Sequence, residues 1–182
     1  MNTKLTTIRH DDFDFRMSPS QYINIHEKFI GAGVNETAVL QFTSDNRVKT
    51  FDPTLIKYMN EAPNWEFAVH GWSHAEYDGM DFDHIVRDLS ACLYWTQRLF
   101  HKSPTVWYPP WNRYSIPMER AAVELGLTID NESFDIAKFI RAVKANDYNG
   151  HSLYFHGWKA DEMIQFEEML YLAKPIYGTP AI

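Results

Sequence analysis

Short apolar runs alternate with amphipathic segments along most of the chain. The clearest helix is predicted over residues 83–100, where apolar side chains recur every three or four positions. Further helices are predicted over residues 20–30, 53–59, 117–125 and 161–173. Strands are predicted over residues 4–8, 37–42, 66–69, 105–108, 127–129 and 152–155.

This alternation of strand and helix is typical of an α/β fold, with a parallel sheet covered by helices. Either an open doubly wound sheet or a barrel would satisfy the pattern. A complete eight-fold barrel needs about 250 residues, and this chain has 182. A barrel would therefore be a reduced or distorted one. Because no repeat, linker or low-complexity stretch interrupts the pattern, we expect a single domain over residues 1–182.

Composition narrows the classes of function. The hydrophobic fraction of 45% is that of a globular protein. A net charge of −7, without a run of Lys and Arg, argues against nucleic-acid binding. The single cysteine, Cys92, excludes an intrachain disulfide. The first ten residues lack the apolar stretch of a signal peptide, and no apolar run could span a membrane. We expect a cytoplasmic protein that does not insert into membranes.

Ionisable or rigid residues follow four of the predicted strands. The carboxyl ends of parallel strands meet at one edge of the sheet, where α/β proteins carry their chemistry. We therefore expect these clusters to form one site. They are Asp11-Asp12, His70 to His74, Pro109-Pro110-Trp111, and His156.

His70 and His74 are four residues apart, a spacing that lets two imidazoles bind one metal ion. Asp11 and Asp12 are adjacent carboxylates, which repel each other unless a cation or a proton is present. Neighbouring side chains of a strand point in opposite directions, so the two carboxylates should differ in role. The alternative is that the Asp pair caps a helix or forms a turn, and that the histidines lie on the surface.

Two histidines and one aspartate would leave a coordination position open, which is typical of catalytic metal sites. A water molecule in that position becomes a better nucleophile, and a carbonyl there is polarised. A carboxylate base and a histidine acid beside the metal would complete a hydrolase.

In this order, the four clusters resemble the motifs of the polysaccharide deacetylases, the NodB-homology or carbohydrate esterase family 4 proteins. Asp11-Asp12 resembles the first motif, and His70-Gly71-Trp72-Ser73-His74 resembles His-(Ser/Thr)-x-x-His with Gly in second place. Tyr108-Pro109-Pro110-Trp111 is similar to Arg-x-Pro-(Tyr/Phe), and Tyr154-Phe155-His156 to Leu-x-His. The resemblance covers residues 8–156 and implies a distorted (β/α) barrel of fewer than eight units.

The resemblance also implies a role for each residue. Asp12, His70 and His74 would bind one divalent metal, with zinc expected and cobalt or nickel possible. Asp11 would be the general base that activates the water on the metal, and His156 would protonate the leaving amine. The metal and a backbone N–H near Trp111 would stabilise the oxyanion.

The chain departs from the family at several positions. Tyr108 stands where the third motif has the arginine that orients the base; Arg9, Arg16 and Arg113 are the arginines that could supply that charge. Tyr154 replaces the Leu of the last motif. The family's Asp-Trp motif has no clean counterpart. The candidates to orient His156 are Asp130 and Asp135.

Three functions remain open from the sequence. The first is removal of acetyl groups from N-acetylated sugars or glycans, whose rings would stack on aromatic side chains. The second is a metal-dependent amidohydrolase or O-acetyl esterase acting on a small substrate. The third is a pseudoenzyme that binds metal or sugar without catalysis. The residues expected to contact the substrate are Trp72, Tyr108, Pro110, Trp111 and Tyr154.

Overall fold

The computed structural model describes residues 7–44, 47–48, 52–148 and 152–177. Its strands are β1 (Ile8–Phe13), β2 (Glu36–Gln41), β3 (Thr43–Ser44), β4 (Arg47–Val48), β5 (Trp65–Gly71), β6 (Val106–Trp107), β7 (Thr128–Ile129), β8 (Ser133–Asp135) and β9 (Ser152–Phe155). Its α-helices are α1 (Pro19–Ala32), α2 (Pro53–Glu61), α3 (Phe82–Phe100), α4 (Ile116–Glu124), α5 (Ile136–Lys144), α6 (Ala160–Ile164) and α7 (Phe166–Ala173).

Seven strands form one sheet in the order β7-β6-β5-β2-β1-β9-β8, and every pairing within it is parallel. The sheet curves into a half-barrel with helices packed outside it, which confirms the predicted reduced barrel. β3 and β4 pair antiparallel as a separate two-stranded sheet. The longest strands, β1, β2 and β5, lie side by side at the centre and carry Asp11, Asp12 and His70.

Alternate residues of the central strands face two different environments. Ala38, Leu40 and Val69 belong to the large core between the sheet and the helices. Their strand neighbours Val39 and Ala68 belong to a small cluster on the other, concave face, together with Tyr108. The fully buried Arg9 contacts Tyr108 on this concave face. A cation thus lies inside the half-barrel, two residues before the first of the two aspartates in the chain.

The helices next to the site begin and end at recognisable capping residues. Ser18 caps α1 in a reciprocal capping box with Gln21, and Gly33 ends the helix in the left-handed conformation at φ 70°. Asp81 caps α3 by accepting the His84 backbone N–H. These caps fix the chain entering both helices that pack behind the site strands.

The predicted elements differ from the structure in three ways. β1 begins at Ile8 and includes both aspartates, whereas the sequence predicted a strand over residues 4–8, of which 4–6 lie outside the described residues. β3, β4, β8 and α5 were not predicted. The final helix was predicted as one continuous helix, but the structure has two helices, α6 and α7, separated by Gln165. Within the described ranges, no helix is long and apolar enough to cross a membrane.

Candidate active site

β1 delivers two carboxylates to one cleft because its backbone is irregular at Asp12. The pairing register of β1 with β2 shifts between His10 and Phe13, and Asp12 has a left-handed φ of 52°. In a regular strand, Asp11 and Asp12 would face opposite sides of the sheet. The local bulge re-aims the chain, so that both side chains line the same cleft while remaining buried.

Asp12 lies between the two histidines of the second motif. Its Oδ1 is 3.3 Å from His70 Nε2 and 3.2 Å from His74 Nε2. His70 is held in one orientation, since its Nδ1 donates to the Tyr108 carbonyl at 2.6 Å. That hydrogen bond places the proton on Nδ1 and leaves the lone pair of Nε2 directed at the cleft.

These three residues fit a divalent cation. One ligand atom from each lies within 4.8 Å of the other two. Asp12 Oδ1 is buried and, despite its nearness to both imidazoles, accepts no hydrogen bond of good geometry from any described residue. Burial acts to raise the pKa of Asp12, but His70 and His74 hold it well below its usual range. A buried, ionised oxygen without a donor, beside two imidazoles, is an arrangement that a metal ion would satisfy.

Arg9 is the partner of Asp11. Its Nη2 donates to Asp11 Oδ2 at 2.8 Å and to Asn112 Oδ1 at 3.2 Å. Asp11 Oδ1 is buried and has no hydrogen-bond partner among the described residues, and Asp11 lines the cleft. Of the two further arginines considered from the sequence, Arg16 pairs with Asp14 and Arg113 pairs with acidic residues of the 76–78 segment.

His156 faces Asp12 across the cleft and pairs with Glu162. Its Nδ1 donates to Glu162 Oε1 at 2.9 Å, and its backbone N–H donates to Oε2 at 2.6 Å. Its Nε2 is left directed at the cleft, 3.9 Å from Asp12 Oδ2. The two aspartates considered for this role accept backbone N–H groups elsewhere: Asp130 from Glu132 at 3.1 Å and Asp135 from Lys138 at 2.6 Å.

The cleft has a volume of about 420 Å³. It is lined by Asp11, Asp12, His70, His74, Pro109, Trp111, Asn112, Tyr154, His156, Trp158 and Lys159. Trp111 is 51% exposed, and its ring centroid lies 4.2 Å from that of His74. Of the five residues expected to contact the substrate, Trp111 and Tyr154 therefore line the cleft.

The other three lie elsewhere. Trp72 stacks on Phe42, with ring centroids 5.5 Å apart. Tyr108 is buried beside Arg9, and burial raises the pKa of its hydroxyl to about 12. Pro110 is buried behind Trp111 in the same turn. These side chains support the cleft rather than line it.

Glu162 and Asn112 were missed by the sequence reasoning. Glu162 comes six residues after His156 on α6, a separation that matches no spacing rule. Asn112 follows Trp111, and both residues have positive φ, 52° and 56°. Asn tolerates that conformation better than most residues. An Asn two residues after a pair of prolines could therefore have been predicted to lie in a tight turn at the site.

A parallel half-barrel with an Asp-His-His cluster at the carboxyl ends of its strands defines a deacetylase-type α/β fold. The chain belongs to the polysaccharide deacetylase family. The sequence model of that family matches residues 29–129, which is more than half of this chain. The matched range contains His70 and His74 but neither the aspartates of β1 nor His156. None of the curated protein sequences matches the chain.

Solved structures with the same fold share little sequence with this chain. A family 4 carbohydrate esterase from Streptomyces lividans, in complex with acetate, is 14% identical with a TM-score of 0.75, over 100% of this chain and 95% of its own. A Clostridium thermocellum family 4 acetyl xylan esterase, in complex with a cobalt ion, is 15% identical with a TM-score of 0.69. The match covers 94% of this chain and 82% of the esterase chain. A carbohydrate esterase family 4 pseudoenzyme from Bacillus anthracis is 12% identical with a TM-score of 0.73. The match covers 97% of this chain and 63% of the pseudoenzyme chain.

Proposed function

We propose that this protein is a metal-dependent hydrolase that removes acetyl groups from N-acetylated sugars or glycans. The observation that carries the proposal is the convergence on one cleft of three parts. These are a metal-ligand cluster, a carboxylate with a free buried oxygen, and a histidine held by a carboxylate. Family membership makes the same chemistry the expected one.

Asp12, His70 and His74 would hold one divalent metal. When bound, the metal would lower the pKa of a water ligand and polarise the acyl carbonyl of the substrate. The donor set of two nitrogens and one oxygen suits zinc, and cobalt or nickel have overlapping preferences. The cobalt ion of the C. thermocellum acetyl xylan esterase structure supports an ion of this kind.

Asp11 is assigned as the general base. Its Oδ2 is held by Arg9, so that Oδ1 keeps a fixed position at the cleft wall with a lone pair available. A base that is positioned in this way can remove a proton from the attacking water as the C–O bond forms. Asp11 is beside the metal ligand Asp12 in the chain, which brings the proton acceptor close to the cluster.

His156 is assigned as the general acid. Glu162 fixes the Nδ1 proton and stabilises an imidazolium, so the Nε2 proton can pass to the departing amine. An amine is a poor leaving group without a proton, and this histidine–carboxylate pair would supply that proton in an amide substrate. The backbone N–H of Trp111, in the turn beside His74, is assigned to the oxyanion.

A carbohydrate substrate is supported by the lining of the cleft and by the relatives. The exposed ring of Trp111 offers an apolar face beside the metal cluster. The similar structures include a carbohydrate esterase with acetate and an acetyl xylan esterase. An O-acetyl esterase would use the same site, and its product would carry a free hydroxyl instead of a free amine.

The test begins with metal content. Elemental analysis of the wild type should find about one zinc, cobalt or nickel ion per chain, absent from His70→Ala and Asp12→Asn. Acetate release from N-acetylglucosamine oligomers should follow for the wild type and fail for Asp11→Asn, which leaves all three metal ligands in place. A chain that takes up no metal when it is supplied would refute the proposal. One that binds metal without releasing acetate from these oligomers would refute their deacetylation and leave the esterase, small-substrate and binding-protein alternatives.

A further inference from the structure

The loop between the two predicted metal-binding histidines is held from outside by Tyr77 and Asp88. The Trp72 backbone N–H donates to Asp88 Oδ2 at 2.7 Å, and Ser73 Oγ is 3.5 Å from Asp88 Oδ1. The Tyr77 hydroxyl lies within hydrogen-bond distance of the same carboxylate and 3.1 Å from the Ser73 carbonyl. One carboxylate on α3 thus gathers three groups around the turn that carries His74.

Tyr77 also packs against the strand that supports the other histidine. It is 2% exposed, and its ring meets that of Trp107 edge-on, with centroids 5.3 Å apart. Trp107 Nε1 donates to the His70 carbonyl at 3.1 Å. A displacement of Tyr77 would therefore be transmitted to both His70 and the loop leading to His74.

The glycine of the second motif, Gly71, leaves room for the side chain of Tyr77. Gly71 has a φ of 140°, which favours glycine, and a Cβ on it would lie 1.9 Å from the Tyr77 hydroxyl oxygen and 2.7 Å from Cζ. The hydroxyl therefore fills the space that a side chain at residue 71 would need.

We propose that Tyr77 and Asp88 are positioning residues, which hold His70 and His74 in the geometry required for the metal. This inference rests on the proposed function, because it presupposes that the Asp12, His70 and His74 cluster binds a cation. Partners that orient metal ligands typically change metal affinity by about 10–100-fold when they are removed. His74 has the greater need of such support, since 30% of its side chain is exposed, against 3% for His70.

The experiment is a calorimetric titration of the metal-free protein with Zn²⁺ and Co²⁺. Tyr77→Phe and Asp88→Asn should each weaken binding by about 10–100-fold. They should also change the visible absorption of bound Co²⁺, which depends on ligand geometry. The matched controls are Tyr94→Phe and Asp83→Asn, exposed residues of α3 that should leave both measurements unchanged.

A denaturation midpoint for each metal-free variant separates positioning from a merely structural role. Variants that lose stability but keep the wild-type affinity and Co²⁺ spectrum would overturn the inference. If Asp88→Asn does not fold, Tyr77→Phe removes one oxygen atom only and carries the test alone. A wild type that binds neither metal would refute the proposed function itself, and the positioning role with it, which the wild-type titration reveals before any variant is made.

Discussion

The guanidinium of Arg9 lies over the ring of Tyr108, with Cζ 4.2 Å from the ring centroid. Tyr108 occupies the place of the third-motif arginine in the resembled pattern, and Arg9 Nη2 donates to Asp11 at 2.8 Å. The aromatic ring that stands in place of the arginine therefore packs against the arginine that supplies the charge. The carboxylate proposed as the base keeps a cationic partner, which reaches it from β1 instead of from the loop after β6.

Arg9→Met is expected to impair both folding stability and activity. It would leave the buried Asp11 carboxylate without its ion-pair partner, at a cost of about 3–5 kcal/mol in the free energy of unfolding. Denaturant unfolding measures this change, and acetate release should fall as the base loses its fixed position. Arg9→Lys should recover only part of the loss, because an ammonium group can pair with Asp11 but lacks the planar guanidinium that stacks on Tyr108.

Arg113→Met is the matched control for Arg9. Arg113 is 42% exposed in its pairs with Glu76 and Asp78, and exposed pairs contribute about 0–1 kcal/mol. Equal losses in Arg9→Met and Arg113→Met would contradict the role given to Arg9.

Glu162→Gln is expected to lower kcat without loss of metal. The amide cannot stabilise an imidazolium at His156 as the carboxylate does, so the variant should lose part of the contribution of a general acid, which is about 10²–10⁴-fold in total. Steady-state kinetics with a metal assay on the same samples would measure both effects. Asp161→Asn, an exposed carboxylate of the same helical turn, should behave as the wild type; a drop in kcat there would point to a general effect of charge.

The Glu162 contact should also be visible in the pH dependence of stability. Burial acts to raise the pKa of Glu162, but hydrogen bonds and charge from His156, with the charge of Lys159, lower it below the ordinary value. A carboxyl with a lowered folded-state pKa stabilises the protein fully above its unfolded-state pKa, about 4.3, and loses this contribution as the pH falls through the folded-state value.

The difference in unfolding free energy between wild type and Glu162→Gln should therefore be largest above that unfolded-state pKa and shrink on acidification. Urea unfolding of both proteins across the acid range would measure it. A difference that grew as the pH fell would show that the carboxylate is not stabilised in the folded protein.

Gly157→Ala is expected to destabilise the loop that carries His156. The added Cβ would lie 2.6 Å from His10 Nε2 and 2.8 Å from Ile25 Cδ1, and the Gly157 N–H now donates to His10 Nε2 at 3.1 Å. Overpacking of this kind costs about 1–3 kcal/mol. The denaturation midpoint and kcat should fall together in this variant.

Gly31→Ala gives the opposite expectation in the same protein. Gly31 lies within α1 with open space around it, so the methyl group should stabilise the helix by about 0.5–1 kcal/mol. If both alanine variants were neutral, the close approach of His10 to Gly157 would not constrain this loop.

Much of the fold was predictable because its long helices and buried strands obey simple periodicities. α3 was predicted to within one residue, since its apolar positions recur regularly over nineteen residues. β8 was not predicted because it has only three residues, two of them polar. β1 was predicted too early in the chain because Asp11 and Asp12 were taken as residues that follow a strand. They lie inside it, buried, because Arg9 and two imidazoles surround them.

The site was predictable where its residues share a strand end and unpredictable where they meet through folding. Asp12, His70 and His74 come together as the parallel topology requires. The contact from Glu162 to His156 depends on how α6 turns back over β9, which no spacing rule encodes. The space beside Gly71 is filled by Tyr77, six residues later in the chain. The side-chain orientation of that tyrosine is determined by the fold and could not be read from the spacing.

Both groups proposed for acid–base chemistry have their partners close by in the chain: Arg9 is two residues before Asp11, and Glu162 is six residues after His156. Each pair can therefore be inherited as one short unit, and recombination between relatives would transfer a group together with the residue that holds it. A change at a distant motif position, such as Tyr108, is then compatible with intact chemistry. On the proposed function, a sequence can therefore lose a family signature residue and still keep the groups that would carry the reaction.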